Sequence, residues 1–372
     1  MLSFRNHVRL FEENEKFNLG HAYEFVLAAA MVSKFTDRYE DGGAKELTPQ
    51  SVNSIMNEYF KGNRFWAVVE GDGIEDSVEF DGVGIPAYIL GTVKNPKFRS
   101  QDMFSKMVND AIQAVNGNST LNKLMNSVLK NGKEDIVLVK CGGTSGQMKT
   151  KSDIDVYVNN VEKRSAGFSV KYGSVKQIGQ FASSDVVSSL SNGFGTFGMD
   201  IRRMGSFGLV KSEAQKMSGI YPNGRTDPLI EPDKKRMFSS VSILFNDISK
   251  KFSTSWLSSP QNAKSLTNGL LLAARGTEED VDIIKSGISF DRGTFDGIAK
   301  GLTKYAKMGK LNWMTSGGGN PTIILNAENM NLFSIRFRFD ADKVGSSGAY
   351  KARFRLLVEI GKDLIKFSNL GS

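Results

Sequence analysis

Residues 140–158 read Lys-Cys-Gly-Gly-Thr-Ser-Gly-Gln-Met-Lys-Thr-Lys-Ser-Asp-Ile-Asp-Val-Tyr-Val, and residues 167–177 read Gly-Phe-Ser-Val-Lys-Tyr-Gly-Ser-Val-Lys-Gln. The apolar run 136–139 leads into Cys141-Gly142-Gly143, the pattern of a buried strand that ends in a glycine turn. Residues 154–158 and 167–171 are two more short strand candidates, separated by the polar turn 159–164, so a strand meander is predicted. Residues two apart in a strand share a face, which places Asp153 and Asp155 to point the same way at a strand's entrance. Paired carboxylates suit a hard divalent cation: Mg²⁺ (or Mn²⁺) takes one or two of them and leaves its other positions to water and phosphate. Lys171 ends the following strand, where an ammonium can position an attacking water and offset phosphate charge.

Before this stretch, residues 23–35 are apolar on nearly every side, with Glu24 the one acid among them, and read as a buried helix. Thr48 caps a helix that Pro49 opens and that runs to about residue 60. Residues 65–93 read as short strands and hairpin turns, and 101–115 and 121–129 as amphipathic helices. Beyond Gly173 a helix is predicted, with Ser174 as its cap and Val175, Ile178 and Phe181 at three-residue spacing. Helices follow near 211–217, 234–252 and 263–275, and Thr277 with Asp280 has the form of a capping box opening another. Residues 321–325, 332–339 and 350–360 read as strands, the last two joined by a turn at 345–348. A soft domain boundary is placed near residues 257–260.

The chain has 372 residues, enough for one large or two moderate domains. Forty-eight Lys+Arg against 40 Asp+Glu give +8, a mild bias toward polyanionic partners that also serves solubility. Cys141 is the single cysteine, so no intrachain disulfide or cysteine-based zinc site is available. The histidines are His7 and His21, too few for a histidine metal cage or a Ser-His-Asp hydrolase. The longest uniform apolar run, residues 25–32, falls short of the roughly 20 needed to span a bilayer. No leader pattern opens the chain, and a soluble, cytoplasmic protein with no membrane partner is expected.

At residues 20–35 and 139–180 the chain resembles the PD-(D/E)XK nuclease superfamily, in its phage and restriction-type branch. Ser152-Asp153 stands where the family has Pro-Asp, and Ser169-Val170-Lys171 where it has (D/E)-X-K. The resemblance implies an α/β (α+β) fold: a restriction-endonuclease-like mixed β-sheet core flanked by helices over residues 1–257. A C-terminal helical and β-hairpin region would occupy 258–372. It implies a Mg²⁺- or Mn²⁺-dependent DNA nuclease. Asp153 and Glu24 would hold the metal with help from Asp155 and the Val170 carbonyl, while Lys171 positions water. Gln177 or Gln180, on a helix after the lysine strand, would assist the site or contact DNA. Ser169 is the departure, since it occupies the place of the usual second acid. Either Glu24 or Asp155 substitutes for it, or the protein binds DNA without cutting.

Two alternatives stay open at this point. Gly142-Gly143 followed by Asp153 and Asp155 also resembles the polymerase-beta-like nucleotidyltransferases, in which a glycine turn holds a triphosphate and two aspartates bind Mg²⁺. A non-catalytic DNA-binding protein is the other. In the C-terminal hairpin, alternation places Arg336 and Arg338 on one strand and Lys351, Arg353 and Arg355 on the next along one sheet face, a candidate surface for phosphates or a DNA groove. Arg202-Arg203 and Lys234-Lys235-Arg236 are weaker candidates of that kind. The oligomeric state is open, and a symmetric homodimer would suit cleavage of both strands of a palindrome.

Overall fold

The computed structural model describes residues 19–36, 47–58, 66–70, 73–75, 96–99, 101–131, 135–141, 152–159, 163–173, 176–276, 281–316, 319–344 and 348–370. In chain order these form α1 (Leu19–Thr36), α2 (Pro49–Glu58), β1 (Trp66–Glu70), β2 (Gly73–Glu75), α3 (Asp102–Gly117), α4 (Ser119–Asn131), β3 (Ile136–Cys141), β4 (Ile154–Val158) and β5 (Ala166–Lys171). There follow β6 (Gln177–Ser183), α5 (Val186–Thr196), α6 (Gly205–Gln215), β7 (Ile220–Tyr221), α7 (Ile230–Lys251), α8 (Pro260–Arg275), β8 (Val281–Lys285) and β9 (Ile288–Phe290). The chain finishes with α9 (Arg292–Lys307), β10 (Leu311–Ser316), β11 (Thr322–Ala327), β12 (Met330–Lys343), β13 (Tyr350–Ile360) and α10 (Leu364–Asn369). The protein is thus mixed α/β.

The chain divides into two compact units, Met1–Val175 with Asp280–Asp291, and Lys176–Glu279 with Arg292–Ser372. The division falls after Val175, not near residues 257–260, and the first unit is completed by a short return of the chain.

Among the described residues the first unit's sheet runs β2-β1-β3-β4-β5-β8-β9. The meander β3-β4-β5 is antiparallel, as the short apolar runs predict, and β8 then lies parallel to β5. Parallel neighbours need a crossover, and here residues 176–279 of the other unit make it. Helix α1 packs on β3 and β5 and against α2 and α3. It is apolar all round because it is covered on all sides: Tyr23, Phe25, Val26, Leu27, Met31, Val32 and Phe35 are all buried. Helix α2 starts as predicted, with the Ser51 amide donating to Thr48 Oγ1 at 3.2 Å and the Thr48 amide to Ser51 Oγ at 3.3 Å. The N-terminus of α4 is tied to the far edge of the same sheet. Asn118 Oδ1 caps the Leu121 amide at 2.7 Å, its Nδ2 donates to Asp282 and Ser289, and Asp291 accepts from the Ser119 amide at 2.9 Å.

Two expected helices are strands. The segment after Gly173 forms β6 rather than a helix, so Gln177 and Gln180 lie on a strand that pairs with β13. Three-residue spacing could not reveal this because Gly179 is chosen for contact rather than periodicity. A Cβ there would sit 1.8 Å from the carbonyl oxygen of Ala273 on α8, a close backbone approach of the kind glycine permits within a strand. The helix expected from the Thr277/Asp280 pattern is likewise absent. Thr277 and Asp280 lie outside the described residues, and the next residues form β8, whose β-branched Val281, Ile283 and Ile284 are buried in the sheet.

In the second unit the described sheet runs β10-β11-β12-β13-β6, with β7 also on β13. Helix α7 packs on β10, β11 and β12, while α5 and α8 pack on β6. Phe333, Ile335, Phe337 and Phe339 of β12 and Ala352, Phe354, Leu356 and Val358 of β13 are buried on one face, as the alternation predicts. No helix among the described residues is long and apolar enough to cross a membrane.

Because Gly179 has helix backbone against it, Gly179→Ala is expected to cost at least about 1–3 kcal/mol of stability. A denaturant-unfolding midpoint equal to that of the wild type would show that α8 does not press on β6 in this way.

Candidate active site

Asp153 sits just before β4 and is 6% exposed. Its amide donates to the Phe168 carbonyl at 2.8 Å, and the neighbouring Ser152 Oγ accepts from the Phe168 amide at 3.0 Å and donates to the Ile154 carbonyl at 2.6 Å. This double tie holds the Asp153 carboxylate over the end of β5. There Oδ2 accepts from the Val170 amide at 2.6 Å and from Ser169 Oγ at 3.3 Å, and lies 3.5 Å from the Lys171 ammonium. Lys171 Nζ in turn donates to the Val170 carbonyl at 3.0 Å. The ammonium therefore bridges two oxygens, one from each of the two segments that the motif reading singled out.

The far side of β5 is braced by the return strand. β5 and β8 pair in parallel, Ser169 opposite Ile283 and Lys171 opposite Lys285. The Ser286 amide donates to the Lys171 carbonyl at 3.1 Å, and the Gly287 amide to the Tyr23 hydroxyl at 3.1 Å. Tyr23 on α1 lies against Tyr172, ring centroids 4.5 Å apart. Helix α1, which carries the buried Glu24, is in this way pinned beside the strand that ends in Lys171. The Tyr23 phenol is pushed up by burial. Tyr172 is pushed up to about 12, first by burial and then by the Asp110 carboxylate that it hydrogen-bonds.

Asp155 has a different partner from Asp153. The Arg164 guanidinium donates to Asp155 Oδ1 at 3.0 Å. Gly167 makes room for that guanidinium, since a Cβ there would meet Arg164 Cζ at 3.0 Å. The structure thus brings together Asp153, Ser169, Val170 and Lys171. Gln177 and Gln180 lie on β6, in the second unit, where Gln177 Nε2 donates to Gln180 Oε1 at 3.3 Å. Gly142 and Gly143 lie outside the described residues. Sequence reading passed over two contributors: Ser152, whose hydroxyl seats the loop, and Arg164, whose place in the turn before Gly167 was read only as polar.

Among the described residues no group of three or more His, Cys, Asp and Glu side chains gathers to hold a metal. The acceptors that converge at Lys171 are the Asp153 carboxylate and the Val170 carbonyl, both oxygen, which fits a hard cation that keeps most of its coordination for water and phosphate.

The five cations of the C-terminal hairpin share one sheet face, as expected, and Asp340, Asp342 and Glu359 share it with them. Arg336 pairs with Glu359, Arg338 with Asp340 at 2.8 Å, Arg353 with Asp342 at 3.6 Å, and Arg355 with both Asp340 and Asp342. The alternation that aligns the cations also aligns these acids, a consequence legible in the sequence but not drawn from it.

Asp153→Ala is expected to cost about 1–3 kcal/mol, because it leaves the Val170 amide buried without its acceptor. Asp153→Asn keeps an acceptor oxygen and should cost less in urea denaturation. For Tyr172 the fold favours the neutral phenol. Its contribution to stability is complete below the ordinary tyrosine value of about 10 and is lost as pH rises through about 12. Asp110→Asn should bring the Tyr172 tyrosinate absorbance transition to lower pH, and Tyr172→Phe should remove the transition near pH 12 while leaving the later ones in place.

Comparison with protein-family models, with curated proteins and with solved structures finds no match to this chain.

Proposed function

We propose that this protein is a divalent-metal-dependent nuclease of the PD-(D/E)XK kind, hydrolysing phosphodiester bonds in DNA. The observation that carries the reading is the Lys171 ammonium bridging Asp153 Oδ2 and the Val170 carbonyl, the two oxygens that the motif resemblance implies as metal ligands. Further support comes from topology: a buried helix, an antiparallel meander and a parallel fourth strand build a mixed sheet around those residues, as a restriction-endonuclease-like core requires.

Asp153 and the Val170 carbonyl would hold the metal, with Glu24 on α1 as the second carboxylate. Asp155 is the weaker substitute for the missing acid, because Arg164 is already its counter-ion. When bound, the metal would polarise the phosphoryl oxygens and lower the pKa of a coordinated water. The chain's own residues do the rest. Ser169 donates its hydroxyl to Asp153 and holds the carboxylate in place. Lys171, with about a third of its side chain exposed, presents its ammonium where it can orient the attacking water and offset charge developing on the phosphate. The nucleotidyltransferase reading gains no observation, since its glycine turn is undescribed and its two aspartates take different partners.

Incubation of supercoiled plasmid with protein and Mg²⁺ or Mn²⁺ tests the reading. Cleavage is expected with the wild type, abolished by chelator and reduced about 10²–10³-fold by Lys171→Ala. Cleavage that survives both would remove it. Salt-sensitive DNA binding with no turnover in any metal would select the non-catalytic alternative.

A further inference from the structure

Helices α8 and α9 pack against each other in the second unit, and a groove of about 860 Å³ runs between them. Four lysines line it: Lys264 from α8 and Lys300, Lys304 and Lys307 from α9. All four are exposed, no carboxylate lines the groove, and none of the four has an ion-pair partner among the described residues. This distinguishes them from the hairpin arginines, which are interleaved with Asp340, Asp342 and Glu359.

Helix electrostatics accounts for only part of the cluster. Lys304 and Lys307 are in the last turn of α9, where cations complement the helix dipole. Lys300 lies a turn earlier, with Lys304 four residues after it, a repulsive spacing, and Asp296 four residues before it, a favourable one. Lys264 lies in the N-terminal part of α8, which has no acid in its first turn, so the dipole there adds positive potential. With no carboxylate in the lining, an anionic partner would complement the four ammonium groups.

We propose that this groove binds the sugar-phosphate backbone of duplex DNA, as a sequence-independent grip additional to the cleavage site. The inference rests on the nucleic-acid reading above and extends it to a second surface. Its geometry suits a phosphate row: Lys300 to Lys307 spans about 10.5 Å of helix axis, against about 3.4 Å of duplex axis per phosphate on one strand. Pro260, Ala299 and Met308 give the groove apolar lining beside the lysines, whose stems can lie along it with their ammonium groups toward water.

The test measures duplex affinity against salt for the full chain without metal. Each phosphate contact contributes about 0.9 to the slope of log affinity against log salt. Replacing the four lysines by glutamine (K264Q, K300Q, K304Q and K307Q together) is therefore expected to make the slope shallower by at least about 2, and the four-arginine variant to retain it. An unchanged denaturation midpoint in the glutamine variant shows that the loss is of charge. A smaller change in slope overturns the proposal, as does a larger drop from R338Q/R353Q than from the lysine set. Lysine-dependent binding to phosphatidylserine vesicles with an unchanged DNA slope would assign the groove to a lipid surface and overturn it too. If the wild type cuts DNA and the glutamine variant keeps its slope, only this inference fails. If the wild type neither binds nor cuts DNA, the parent reading fails with it.

Discussion

One buried carboxylate organises the candidate site. An anion as enclosed as Asp153 is tolerable only with partners, and it takes an amide, a hydroxyl and an ammonium from three consecutive residues of β5. That demand positions everything else. Ser152 fastens the loop to Phe168 so that the carboxylate reaches Val170, Ser169 can be a serine because it donates rather than ligates, and Lys171 is drawn back across its own strand end. β8 then supports β5 from the other side through a turn that also anchors Tyr23 of α1. The helix bearing Glu24 and the strand bearing Lys171 are coupled by this turn.

Charge in the second unit is organised by local pairing more than by the net value of +8. On the β12-β13 face, arginines pair with acids along β12, as Arg338 with Asp340, and diagonally across the ladder, as Arg353 with Asp342. Partly exposed pairs of this kind contribute little to stability, but they lower the positive potential of a surface that would otherwise read as basic. Along α9 no acid lines the lysine groove, and the same formal charge is left available to a partner. Counting cations would rank the hairpin first; counting uncompensated cations ranks the helix pair first.

Much of the first sheet was legible because its strands are short and bounded by turn residues. The bounds of β4 match its apolar pattern and those of β5 nearly so, β13 in the second sheet does the same, and the Thr48–Pro49 helix start follows from capping chemistry alone. What misled was local pattern without its neighbours. Val175, Ile178 and Phe181 have helical spacing, yet β6 forms because β13 offers a ladder and α8 requires Gly179 beneath it. The Thr277/Asp280 pattern resembles a cap, yet the following residues complete a parallel pair with β5. Spacing placed Asp153 and Asp155 on one strand face, but a turn arginine claims the second of them.

The sequence by itself determined the residue types at the site, the meander that carries them and, with a single cysteine, the impossibility of an intrachain disulfide. These follow from side-chain identity and from periodicities confined to a few adjacent residues. Only the tertiary structure decided that the chain leaves the first sheet after Val175 and returns at β8, that Asp153 rather than Asp155 meets Lys171, and which cations keep their charge unopposed. Each of those depends on contacts between residues far apart in the chain, and pairing free energy at that range leaves no trace in local pattern.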